Sequence, residues 1–109
     1  MQVAALKDMI GGWFVGSFEP TAFKTDVCEV AVKHYSAGAY DSRHHHKLAT
    51  EITVIVSGEV EMNGVRYRAG EILVILPGEA TDFRCIQDAT TAVVKIPGAR
   101  DDKYLGDAV

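Results

Sequence analysis

Cysteine is scarce in this 109-residue chain: Cys28 and Cys85 are its only two, and they form no Cys-x-x-Cys pair. That excludes a disulfide framework and makes a reduced, cytoplasmic setting the expectation. Basic residues are also in deficit, 11 against 15 acidic ones, for a formal charge of -4. A general nucleic-acid binder would carry a basic patch, so no nucleic-acid partner is expected. No apolar run approaches the ~20 residues that cross a bilayer, so no membrane span is expected. The first residues, Met1 to Asp8, hold no basic stretch leading into an apolar one, so no secretion signal is expected. Gly11-Gly12 has no downstream Gly-Lys-Ser/Thr to make a phosphate loop. A Gly-x-Ser-x-Gly nucleophile elbow is absent too.

What remains is an ordinary globular composition, 48% hydrophobic and 24% charged, at a length that suits one domain. Val3, Leu6 and Ile10 recur at helical spacing, predicting a short helix over residues 2–10 that Gly11-Gly12 stops. The rest reads as strands: 13–15, 27–35, 52–56, 59–62, 65–68, 72–76, 83–86 and 91–96. Asn63-Gly64 suits a type I′ turn, which needs positive φ twice, and so predicts a two-residue hairpin. Many short strands separated by Gly, Pro and Asn turns point to an all-β fold, an antiparallel sandwich or barrel. Strands 52–56 and 72–76 are apolar on both faces apart from Thr53. Their outer face needs cover, either from a second chain, as in a homodimer, or from the N-terminal segment with Trp13 and Phe14.

Three of the four histidines are adjacent, His44-His45-His46. On a strand, His44 and His46 share a face, about 6.6 Å apart along the chain, and His45 points away. If residues 47–50 close a hairpin, Glu51 lies beside His46 on the next strand. Two imidazoles and a carboxylate make a ligand set suited to a divalent metal ion, Fe, Mn, Ni or Zn, with open positions left for a ligand. The alternative is a solvated polar hairpin in which the histidines cluster by chance.

The wider spacing adds to this. Gly38, five residues, His44, one residue, His46, four residues, Glu51, six residues, Gly58: the run resembles the first motif of the cupin superfamily at every fixed position. The second motif is matched in part. Gly70 and Gly78 stand where its glycines belong, but Leu76 takes the usual proline place and Cys85 the asparagine place. Thr81 takes the place of the fourth metal ligand, a histidine. The resemblance covers about residues 27–97 and implies a cupin-type jelly-roll barrel over 27–109, with residues 1–26 as an N-terminal helix-and-strand extension. It implies a metal in the barrel mouth on His44, His46 and Glu51, and frequent dimers. Thr81 does not carry over as a ligand, because a neutral hydroxyl is a poor one. Asp82 could replace it only if a bulge shifts the register by one; otherwise it faces solvent.

Thr81, Asp82, Phe83, Cys85 and Ile55 are the candidate pocket lining. Cys85 shares a strand face with Thr81, yet no histidine is placed to activate it, and a small buried residue is the expectation. His34 is expected to be structural. Arg66, Tyr67, Arg68 and Arg84 are expected outside, with an anion-holding pocket as the alternative. Two functions follow. One is a metal-dependent enzyme, dioxygenase-, isomerase- or epimerase-like, acting on a small oxygen-rich molecule, with Glu51 as ligand or base. The other is a non-catalytic module that binds or senses a small sugar or carboxylate.

Overall fold

The computed structural model describes residues 1–109. Its strands are β1 (Trp13–Val15), β2 (Glu29–Tyr35), β3 (Tyr40–His45), β4 (Thr50–Met62), β5 (Val65–Arg68), β6 (Ile72–Ile75), β7 (Thr81–Ile96) and β8 (Tyr104–Leu105). Every strand pairing is antiparallel. The all-β fold expected from the turn spacing is therefore observed.

β4 and β7 are the frame. They pair with each other from Thr50↔Ile96 to Glu61↔Arg84, with register shifts between Ile55 and Val60. On its other edge β7 pairs with β2 through its C-terminal half and with β3 through its N-terminal half. β4 likewise pairs with β6 and then with β5. The result is two half-sheets, β1-β2-β7-β4-β6 and β8-β3-β7-β4-β5, joined through the two long strands. The segments 52–56 and 59–62, and likewise 83–86 and 91–96, are thus halves of single strands. The shifts in register let each strand bend and pass from one half-sheet to the other. Gly58 sits in that bend at φ 84°, and a Cβ there would collide with the backbone of Asp88 and Ala89. Only glycine meets both demands, the positive φ and the close approach.

The 63–64 hairpin forms as expected, with φ of 51° at Asn63 and 77° at Gly64 and Met62 opposite Val65. The N-terminal helix is shorter than the predicted 2–10: one 3-10 turn, Leu6–Asp8. Its first turn has no side-chain cap and buries no residue. Val3 and Ile10 stay 89% and 71% exposed, so no packing rewards a longer helix.

Inward positions alternate along the strands between the register shifts, and the shifts change their parity, as from Ile55 to Val60 on β4. Ile55, Val60, Met62, Ile75, Phe83, Cys85 and Ala89 form the core cluster at one end of the barrel, where Tyr35 packs on Phe83 with ring centroids 4.5 Å apart. The outer face of β4 and β6 is not covered by the N-terminal segment. β1 extends the far edge, beside β2, and Ile72, Val74 and Val56 remain more than half exposed. No helix is long and apolar enough to cross a membrane.

Candidate functional site

The opposite end of the barrel is polar. A cavity of about 400 Å³ opens there, lined by His44, His46, Glu51, Thr53, Thr81 and Phe83 among others. Its floor is the apolar cluster, because Met62 and Phe83 belong to both.

His44 and His46 face this cavity together, with ring centroids 5.4 Å apart and planes at 82°. His44 Nδ1 lies 3.0 Å from the Ser42 carbonyl, which can only accept, so Nδ1 carries a proton and Nε2 is the atom that has the lone pair in the neutral ring. Burial, with Lys95 and His44 nearby, lowers the His46 pKa to about 4. That ring is therefore neutral at physiological pH. His45 points away. Its Nδ1 donates to the Gly106 carbonyl at 2.7 Å, and its ring stacks on Tyr104.

Glu51 reaches the cavity by another route than the expected hairpin. β3 pairs with β7 and β8, not with β4, and Glu51 on β4 stands opposite Lys95 and Ile75. β3 meets β7 at Thr81–Arg84 and Glu51 meets it at Lys95, near its other end, so Glu51 is no strand neighbour of His46. Thr53 Oγ1 donates to Glu51 Oε2 at 3.1 Å. No three His, Cys, Asp or Glu side chains stand close enough together to hold a metal ion. The histidine pair is brought together, and Glu51 shares the cavity without joining it.

Of the remaining expected lining residues, Thr81 and Phe83 face the cavity, and Thr81 is the register partner of His44. Asp82 does not line it. No bulge turns it inward; its Oδ1 accepts the Asn63 backbone N–H at 2.7 Å and fixes the hairpin turn. Ile55 and Cys85 lie in the apolar cluster instead. Burial pushes the Cys85 thiol pKa up, and the thiol donates to the Gln87 carbonyl, which marks an inert core residue. His34 is exposed, 2.9 Å from Thr90 Oγ1. Arg66 and Arg68 pair with Glu59 on the hairpin, and Arg84 lies over Tyr40, so none lines the cavity.

Several lining residues escape a reading of the sequence: Trp13, Glu29, Lys33, Tyr35, Lys95 and Lys103. The period-two alternation of β2 puts 29, 31, 33 and 35 on one face, but a lysine on a strand ordinarily reads as solvent-facing. Lys95 pairs with Glu29 at 3.1 Å, the two side chains only 14% and 8% exposed. Lys103 pairs with Asp41. Burial, with Asp41 and Glu51 nearby, pushes the Tyr35 pKa to about 12, so its phenol stays a donor.

No family model matches the chain, and no curated protein does. Solved structures do. A double-stranded β-helix protein from Klebsiella pneumoniae is 24% identical over 77% of this chain and 74% of its own, with a TM-score of 0.68. KdgF from Halomonas sp. is 23% identical over 72% and 76%, TM-score 0.62. The DMSP lyase DddQ from Ruegeria pomeroyi is 25% identical over 85% of this chain but 49% of its own, TM-score 0.66. With the continuous β4–β7 frame and the polar barrel mouth, these likenesses show that the chain has the double-stranded β-helix fold of the cupins.

Proposed function

We propose that the barrel mouth is the active site of a metal-dependent enzyme acting on a small oxygen-rich molecule. The observation that carries this reading is the imidazole pair: His44 with its Nε2 lone pair free, and a neutral His46, facing one cavity. Neutral imidazoles are the donors a divalent Fe, Mn, Ni or Zn ion takes, and the Ser42 carbonyl on His44 is the outer partner such a ligand ordinarily has. The donor types therefore fit a metal; Glu51 completes the set if its carboxylate turns toward the pair. Bound there, a metal would polarise a substrate oxygen. The chain supplies the rest. Glu51, oriented by the Thr53 hydroxyl, is the candidate base. Tyr35 offers a phenolic proton to a substrate oxygen. The apolar floor keeps water from the inner end of the cavity. Neighbours in fold include a DMSP lyase and an oxalate decarboxylase.

A second reading, a module that binds a small molecule without turnover, is favoured by one observation: Thr81 stands opposite His44 where a fourth ligand would be, and the three donors form no cluster. Elemental analysis of untagged protein and of His46→Ala separates the two. Near-stoichiometric metal that disappears in the variant is the expected result. Metal well below one ion per chain in both proteins overturns the metal-dependent reading and leaves the module.

We also infer that the protein is a homodimer. The outer faces of β2, β7, β4 and β6 carry two apolar rows, Val30-Val94-Ile52-Val74 and Val32-Ala92-Val54-Ile72, in register. A second copy is the cover such a face calls for.

A further inference from the structure

We propose that Lys33 and Lys95, gathered around the Trp13 ring, form a receptor for the carboxylate of a small monoanionic ligand. The proposal deepens the reading of the barrel mouth as a ligand site, and adds to it a substrate class and residues that are not metal ligands.

The receptor is built from strand register. Trp13 on β1 stands opposite Ala31 on β2, a residue with no exposed surface and little bulk. Lys33 is the next inward residue along β2, and Lys95 faces inward from β7 opposite Glu29, one inward position to the other side. Both ammonium groups lie 5.0 Å from the centre of the Trp13 ring, so at most twice that distance separates them. A cation over an aromatic face is held there by the ring's quadrupole, and the ring thus presets both charges.

Direct pairing within the site is incomplete, although its three lysines are matched in number by Glu29, Asp41 and Glu51. Lys95 has Glu29 at 3.1 Å and Lys103 has Asp41 at 3.2 Å. Lys33 has neither an ion pair nor a hydrogen bond, although Asp41 and Glu51 lie near enough to act on it. An ammonium in a cavity without a partner carries a desolvation cost that a ligand anion removes. One ammonium without a direct partner, in a cavity that also holds the unpaired Glu51 carboxylate, admits one negative charge at most, which favours a carboxylate over a phosphate dianion. A second orphan stands beside it. Thr91 is the register partner of Lys33, only 1% exposed, and its Oγ1 has no hydrogen-bond partner. Thr91 lines the same cavity. An ammonium and a hydroxyl carried by register partners and lining one cavity, both unsatisfied, suit the oxygens of one carboxylate or of a hydroxy-carboxylate.

Trp13 is the chain's one tryptophan, so its fluorescence reports the site directly. Protein stripped of metal by chelation and dialysed free of chelator is titrated with glycolate, with its neutral isostere glycolamide, and with inorganic phosphate. The expected result is a saturable change in Trp13 emission with glycolate alone. Lys33→Gln weakens it at least about tenfold, Thr91→Val about threefold, and Lys33→Arg leaves it within about threefold. Thermal melts of each variant verify folding, and the arginine variant keeps the test valid if glutamine unfolds the chain. Equal response to glycolamide, no response to glycolate, or tighter binding of phosphate overturns the proposal. Because these titrations hold no metal, their failure is distinguishable from failure of the imidazole pair to bind one, which elemental analysis reads separately.

Discussion

The Asp102 carboxylate accepts the backbone N–H of Ala49 at 3.0 Å. The same carboxylate accepts from Lys47 and Leu48, so a tail residue closes three successive amides of the loop that begins at His46. Asp102 and Ala49 are 3% and 1% exposed. Around them Lys103 pairs with Asp41, Tyr104 stacks on His45, and Arg43 pairs with Asp107. The tail is a strap across β3 that holds the histidine-bearing segment.

Replacing Asp102 with Asn exchanges charge-assisted bonds for weaker ones and sets an amide donor against backbone donors. A loss of about 2–3 kcal/mol in unfolding free energy is expected from denaturant melts. The acid limb should change as well. Burial alone would raise the Asp102 pKa, but the amides of Ala49, Leu48 and Lys47 together hold it below its ordinary 3.8. A depressed folded-state pKa gives stability that is complete above the unfolded value and is lost as pH falls through the folded one. The wild type should therefore lose this contribution below about pH 4, and Asp102→Asn should not. Parallel acid limbs for the two proteins would count against the strap.

His46 titrates in a different window. Its pKa near 4, against an ordinary 6.5, means that the unfolded chain takes up a proton first as pH falls. Metal-free protein should lose stability from about pH 6.5 down to about 4, and His46→Gln should flatten that span. In an NMR titration the His46 imidazole should show a midpoint near 4. Lys95→Gln should move it upward only in part, since burial outweighs Lys95 among the causes. A His46 midpoint at 6.5 in the wild type would remove both expectations.

Much of this architecture can be read from the chain alone, and the limits are physical. Turn chemistry is local, so Asn63-Gly64 announces its hairpin. His44 and His46 share a face because strand periodicity is two, and His45 turns out for the same reason. Pairing is not local. The 47–50 connection looks short enough for a hairpin, yet β3 joins β7 and sends Glu51 to another strand neighbour. Nor does alternation separate inside from outside once charges pair. Glu29 and Lys95 look solvent-facing singly and become interior as a pair. The shortfall of the N-terminal helix has the same origin, since propensity over 2–10 finds no surface on which to pack.

Thr81 is the position where a single substitution should strengthen the metal site. It lies opposite His44 in the β3–β7 register and faces the cavity. Thr81→His adds a third imidazole to a pair that already has one open lone pair. Zn²⁺ or Ni²⁺ affinity, measured by competition with a chromophoric chelator, should rise at least about tenfold, a gain typical of one well-placed supporting group. An unchanged affinity would mean that His44 does not direct its Nε2 toward the space beside Thr81.

The outer apolar grid makes the last prediction. Val74 stands opposite Ile52, whose other register partner is Val94, and it is 56% exposed in the single chain. In a two-fold dimer each such residue is buried twice, once per copy, at about 1.5–3 kcal/mol for each side chain. Val74→Glu places two like charges in that interface without touching the barrel interior. Light scattering at micromolar concentration should give twice the chain mass for the wild type and one chain mass for the variant, with dissociation favoured at least about a hundredfold. The folded barrel should survive, because the Glu side chain points to solvent once the copies part. A wild type that scatters as one chain would refute the dimer. A variant that still scatters as two would move the interface to another face.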